Sequence, residues 1–179
     1  MSKFVLIDGH SILNRAFYGV PIFTNSEGLH TNAVFGFLNI MFKIIDSKQP
    51  DYMAVAFDVH QPTFRHEMFK DYKGTRKPMM EELREQVPVI KELLQKMNIT
   101  TVELPGYEAD DVIGTLSKKG EKAGMEVDVI SGDRDLLQLA SDHITICIPK
   151  TKKGQTTVEE YNTEGVRELY KVTPTEFID

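Results

Sequence analysis

Cysteine is all but missing from this chain: Cys147 is the one thiol among 179 residues. A lone thiol excludes an intrachain disulfide, a thiolate zinc site and a CxxC redox pair, and its place in the alternating run Ile144-Thr145-Ile146-Cys147-Ile148 marks it as a small core residue. Long apolar runs are missing too. No segment approaches the ~20 apolar residues of a membrane span, and Met1-Ser2-Lys3 leads straight into a strand pattern without a secretory apolar core. A cytoplasmic chain with no membrane partner is expected. The motifs GxGxxG, GxSxG and HExxH are absent, and Lys73-Gly74-Thr75 lacks the upstream glycine of a phosphate loop, so several nucleotide-binding and hydrolase chemistries drop out. The five histidines (His10, His30, His60, His66, His143) are scattered without metal-ligand spacing.

What is present describes an ordinary globular domain: 41% hydrophobic residues, 21 Lys and Arg against 27 Asp and Glu, and a formal net charge of -6. A net acidic chain argues against a nucleic-acid partner, because phosphate binding is driven by Lys and Arg. The distribution argues the other way. Arg65, Lys70, Lys73, Arg76 and Lys77 face only Glu67 and Asp71 in their stretch, with Phe64, Phe69 and Tyr72 interleaved as backbone tracking and base stacking require. The same composition also fits a solvated charged loop or helix face.

The order of patterns predicts an α/β fold with a mainly parallel central sheet and helices on both faces. Residues 3–8 and 51–58 are short apolar runs, each closed by an acid, and residues 33–47 between them carry Val34, Phe37, Leu38, Met41, Ile44 and Ile45 at helical spacing. A second helix is expected over 81–97, a strand over 100–104, and a helix over about 108–123 stopped by Gly124. Then come a strand over 126–131, a turn, a short helix over 136–140, a strand over 143–149, a basic turn at 150–154 and a helix over 163–171. No internal repeat or linker interrupts this, so residues 1–179 read as one domain. Thr173-Pro174-Thr175-Glu176 has the hydroxyl, proline and acid that open a helix, which predicts a chain cut from a longer one.

Seven carboxylates stand where these strands end or helices begin: Asp8, Asp58, then Glu108, Asp110 and Asp111, then Asp133 and Asp135. In an open parallel sheet the strand ends share one crevice. Like charges ~4 Å apart repel by about 4 kcal/mol at an effective dielectric near 20, so acids that converge there need a cation. Taken singly, each acid also reads as a helix cap or turn former. Taken together, oxygen-only donors suit Mg²⁺ or Mn²⁺, and a pair of such ions supports in-line phosphodiester hydrolysis.

These residues resemble a known family. The segments Leu6-Ile7-Asp8-Gly9, Arg15-Ala16-Phe17, Val55-Ala56-Phe57-Asp58, Phe64-Arg65, Tyr72-Lys73 with Arg76, Gly106-Tyr107-Glu108-Ala109-Asp110-Asp111-Val112-Ile113-Gly114 and Gly132-Asp133-Arg134-Asp135-Leu136 are similar to the 5′ nuclease domain of bacterial DNA polymerase I, in the flap-endonuclease family with its PIN-like, resolvase-like fold. The resemblance implies a metal-dependent, structure-specific 5′ nuclease (5′→3′ exonuclease or flap endonuclease) acting on DNA with a 5′ end or 5′ flap during primer or flap removal in replication and repair. It implies that Asp8, Asp58, Glu108, Asp110, Asp111, Asp133 and Asp135 hold Mg²⁺ or Mn²⁺, two or more ions in the complete domain. It places Lys73 and Arg76 on the scissile phosphate within a helical arch at about 65–80, with Arg15 and Arg65 at further DNA-binding positions. Phe69 and Tyr72 form the aromatic side of that arch, or else pack it against the sheet. The family continues with a Gly-Asp-x-x-Asp motif and a helix-three-turn-helix element, both missing before Asp179, so part of the metal site is expected here; a monomer is expected, and the parent either continues into a polymerase region or, like some relatives, stands alone.

Two other readings stand beside this one. A haloacid-dehalogenase-like phosphatase would use Asp8 as nucleophile, but wants a second Asp where His10 stands. A nucleic-acid-binding fragment without turnover would keep the fold alone.

Overall fold

The computed structural model describes residues 1–59, 61–69, 78–152 and 155–177. Lys70, Tyr72, Lys73, Arg76 and Lys77 of the expected arch lie outside the described residues.

The sheet grows from β1 (Lys3–Asp8), whose Val5, Leu6 and Ile7 are at most 1% exposed. β1 lies in the middle, parallel to β2 (Tyr52–Ala56) on one side and to β4 (Glu126–Ile130) on the other. β3 (Thr100–Val102) continues beyond β2, and β5 (Ile144–Lys152) beyond β4, both parallel. β6 (Gln155–Tyr161) closes the edge antiparallel to β5, giving the order β3-β2-β1-β4-β5-β6. The expected mainly parallel α/β sheet is therefore met, with one antiparallel edge.

Successive side chains of a strand face opposite sides, and both sides are covered. Val5, Ile7, Val55 and Ile130 enter one core with α1 (Gly9–Gly19), α2 (Asn32–Lys48) and the helix over Gln86–Lys96. Leu6, Ala54, Ala56 and Val129 enter the other with the helix over Ala109–Lys122. Cys147 is fully buried in the first core, as expected. Beside it Asp128 of β4 is 8% exposed and paired with Lys48 Nζ at 2.9 Å, so this buried charge has its counter-ion.

Three elements differ from the sequence-based expectation. α1 follows β1 without a loop; its buried Ile12, Leu13, Ala16 and Phe17 share one face, but a single stripe amid His10, Ser11, Asn14 and Arg15 gives weak periodicity. The expected helix over 81–97 is two: α4 (Glu81–Arg84) and α5 (Gln86–Lys96) meet at Glu85, and Pro88 falls in the first turn of α5, where no N–H is required. β6 is an edge strand with polar Gln155, Thr156, Thr157, Glu159 and Glu160, which hides its period of two. Among the described residues the remaining helices are α3 (Phe64–Met68), α6 (Ala109–Lys122) and α7 (Thr163–Tyr170), with 3₁₀ turns over Arg134–Leu139 and Pro174–Glu176. No helix among the described residues is long and apolar enough to cross a membrane.

One buried amide pair fastens the helices on the first face. Gln86 Oε1 accepts the N–H groups of Ala33 (2.8 Å) and Val34 (3.1 Å) at the start of α2, and Gln86 Nε2 donates to Asn32 Oδ1 (3.0 Å). Asn32 Nδ2 in turn donates to Phe17 O (3.1 Å) and Val20 O (3.3 Å) at the end of α1. α1 and α2 cross closely because Gly36 has no side chain; a Cβ there would lie 2.8 Å from that of Ala16. Replacing Gln86 by Leu strands two buried N–H donors and should cost about 2–3 kcal/mol in urea unfolding, against a few tenths for exposed Gln95→Leu on the same helix.

Candidate metal centre

The strand order reverses beside β1: β2 and β3 lie to one side, β4 and β5 to the other. Such a switch point opens a crevice beyond the carboxyl ends of the strands. Asp8 is the last residue of β1, Asp58 lies two beyond β2, and Asp133 three beyond β4. α6 points its first turn at the same place with Glu108 and Asp110. These five acids line one cleft of about 640 Å³, together with His10.

Asp8, Asp58 and Asp133 are anchored by backbone or hydroxyl donors. Asp8 caps α1 by accepting Ser11 N–H at Oδ1 (3.1 Å), and its Oδ2 accepts the Ser131 hydroxyl (2.8 Å). Ser131 Oγ also accepts Asp133 N–H (3.0 Å), and Ser11 Oγ accepts Gly132 N–H (2.9 Å), so two serines join β1 to the turn after β4. Asp133 caps the following 3₁₀ turn by accepting Asp135 N–H (3.0 Å). Asp58 Oδ1 accepts Ala109 N–H (2.7 Å) at the start of α6. The Asp58 N–H donates to His10 Nδ1 (3.1 Å), which leaves Nε2 as the protonated nitrogen of a neutral ring.

The cleft is strongly anionic. Burial, then the charges of Asp8, Asp133, Asp58 and Glu108, push Asp110 up to about 7. Burial also pushes Asp8 up to about 6, with Asp58 and Asp133 adding to the rise and the Ser11 and Ser131 hydrogen bonds opposing it. The acids share the cleft without closing into a chelate: among the described residues no three His, Cys, Asp or Glu side chains stand at metal-binding spacing. The donor set still fits a hard dication, since every donor is oxygen and the charges raise one another's proton affinity.

Two of the seven expected acids stand apart from the five. Asp111 lies one residue beyond Asp110, yet both its oxygens accept from Arg65, at 2.7 Å each, and it does not line the cleft. Asp135 is exposed on the 3₁₀ turn beyond Asp133. Of the expected DNA-binding residues, Arg15 lies beside the acids in an adjoining cleft of about 550 Å³ shared with Asp133 and Tyr18, and its buried Nε has no hydrogen-bond partner among the described residues. Phe69 is 63% exposed at the end of α3, outside both cores. Lys73, Arg76 and Tyr72 lie outside the described residues. Sequence reasoning missed Ser11 and Ser131 as anchors, although Ser11 sits three residues after Asp8, where a cap partner belongs.

A profile of the 5′-3′ exonuclease, N-terminal resolvase-like domain matches residues 3–171. The chain belongs to this family. It is 52% identical to DNA polymerase I of Bacillus caldotenax over 177 residues and 51% identical to that of Bacillus subtilis (strain 168), covering 99% of the chain and 20% of each relative. This resolvase-like domain thus spans about a fifth of the length of the curated relatives it matches. Its fold is that of a bacteriophage T5 5′-exonuclease with zinc bound (TM-score 0.72, 20% identity, 98% of this chain and 64% of that one). A T5 flap endonuclease in a complex with DNA and metal ions shares it as well (TM-score 0.73, 22% identity, 98% and 63%). The resemblance and the fold class read from the sequence both hold.

The raised carboxyls make the acid domain pH-sensitive in a definite direction. With folded values above unfolded ones, the folded chain binds more protons than the unfolded chain between about pH 4 and pH 7, so these two groups lower stability as pH rises through that window. Asp110→Asn removes one of them. In EDTA its stability relative to the natural chain should rise by about 2 kcal/mol between pH 4.5 and pH 8, measured by urea unfolding; a flat difference contradicts the assigned cause.

Proposed function

We propose that this domain carries the acid centre of a structure-specific 5′ nuclease, which hydrolyses DNA phosphodiesters at a 5′ end or 5′ flap with Mg²⁺ or Mn²⁺ bound. The observation that carries the reading is the meeting of Asp8, Asp58, Glu108, Asp110 and Asp133 in one cleft at the sheet's switch point. The relatives' names support it: the curated ones are DNA polymerase I, and structures of the same fold are a 5′-exonuclease and a flap endonuclease with DNA and metal ions.

The five cleft acids, and by the family resemblance Asp135, would hold the ions. The chemistry such ions supply when bound is Lewis-acid activation of water and neutralisation of the leaving oxygen. The protein's own share is orientation. Ser11 and Ser131 fix Asp8, His10 and Ala109 N–H fix Asp58, and the cap at Asp135 N–H fixes Asp133. Arg15, which lines the adjoining cleft beside Asp133, would attract a phosphate of the incoming strand by its charge. By the family resemblance, Lys73 and Arg76 would contact the scissile phosphate, with exposed Phe69 preceding their segment. As nucleophile of a phosphatase, Asp8 would lack its partner: position 10 is His10, whose Nδ1 is taken by Asp58.

Cleavage of a 5′-flap duplex by the full-length protein in Mn²⁺ tests the proposal. Asp110→Asn and Asp133→Asn should each lower kcat ~10²-fold or more, and EDTA should abolish turnover. Unchanged cleavage in the double variant would refute it.

A further inference from the structure

The acid one residue beyond Asp110 is turned to a different task. Arg65, on the short helix α3 that leads into the basic segment, donates from Nη1 to Asp111 Oδ2 and from Nη2 to Asp111 Oδ1, both at 2.7 Å. Asp111 Oδ2 also accepts Glu108 N–H (3.0 Å), and Arg65 Nη1 lies 3.8 Å from Glu108 Oε2. Two further contacts fasten the same strip: Phe64 N–H donates to Gly106 O (3.1 Å), and the Phe64 ring packs on Tyr107 at 5.7 Å. The guanidinium itself rests over the Phe64 ring at 4.6 Å.

We propose that Arg65 and Asp111 are positioning residues, a bracket between the foot of the basic segment and the acid-bearing turn, and that Asp111 is not a metal donor nor Arg65 a phosphate contact. The geometry makes the case. A fork-to-fork pair engages both carboxylate oxygens and the Nη edge of the guanidinium, while its face is covered by the Phe64 ring. Within one helical turn, Glu108 and Asp110 face the cleft while Asp111 faces α3. Adjacent residues on a helix point about 100° apart, and here that offset turns Asp111 to Arg65 while Asp110 lines the cleft. The bracket therefore sets where α3 and the segment it leads into sit relative to the acid-bearing turn, and it acts on the reaction through that placement.

This inference rests on the nuclease reading for its kinetic arm and not for its binding arm. In the chain itself, Mn²⁺ titration by calorimetry should show Asp111→Asn and Arg65→Gln keeping the natural stoichiometry with Kd within about threefold, whereas Asp110→Asn loses a binding event or at least tenfold in affinity. Thermal unfolding of the two single variants and the double should be non-additive, the double no less stable than the weaker single. In the full-length protein on 5′-flap DNA, each single should lower kcat about tenfold or more with KM unchanged, the double should lose no more than either, and the salt dependence of binding should keep its slope in Arg65→Gln. A lost metal-binding event in Asp111→Asn, additive losses, or a slope reduced by about one in Arg65→Gln would each overturn the bracket. Failure of the natural full-length protein to cleave would overturn the nuclease reading instead, leaving the calorimetric and thermal arms to judge the bracket.

Discussion

Mutual repulsion among carboxylates governs this structure. Five acids from four separate segments face one cleft, and the burial and field they create lift Asp110 to about 7. The fold tolerates them because most are engaged by positive ends of backbone dipoles. Asp8 accepts from the start of α1, Asp58 from the start of α6, and Asp133 from the start of a 3₁₀ turn. A helix N-terminus offers unsatisfied N–H groups and a favourable field, so an acid there stabilises the helix while remaining an oxygen donor to a cation. The capping and metal-holding readings of these residues are thus compatible, and the first explains how the second can be kept in place without an ion.

The topology brings those helix starts together. Because β1 sits centrally and the order reverses beside it, the loops after β1, β2 and β4 leave the sheet at one crevice. Ser11 and Ser131 then stitch together residues 121 and 123 apart in the chain, tying β1 and the start of α1 to the Gly132-Asp133 turn. Behind this, the Asn32 and Gln86 amides tie α1, α2 and α5 into one body. The acid cleft is shaped by these polar ties as much as by the two apolar cores.

Much was legible beforehand, and the exceptions have physical causes. The strands over 3–8 and 126–131 are buried on both faces and read as continuous apolar runs; the helices over 33–47 and 108–123 show strong periodicity and clear stops. α1 escaped notice because it is short, half polar and follows its strand without a turn signal. β6 escaped because an edge strand with one wet face needs few apolar residues. At the site, the seven acids stood out as residue types at strand ends, but not which way each points. His10 and Ser131 gave no signal, since the bonds that tie His10 to Asp58 and Ser131 to Asp8 join partners distant in sequence.

By itself, then, the sequence determined the fold class, the family, the positions of the carboxylates and the capping signals that place them at helix starts, because these depend on local pattern and residue type. Tertiary structure alone decided which acids share a cleft, that Asp111 turns to Arg65 while Asp110 turns inward, and that two serines and a histidine hold the cluster's geometry. Those outcomes depend on strand order and on distances between segments far apart in the chain, which no local pattern encodes.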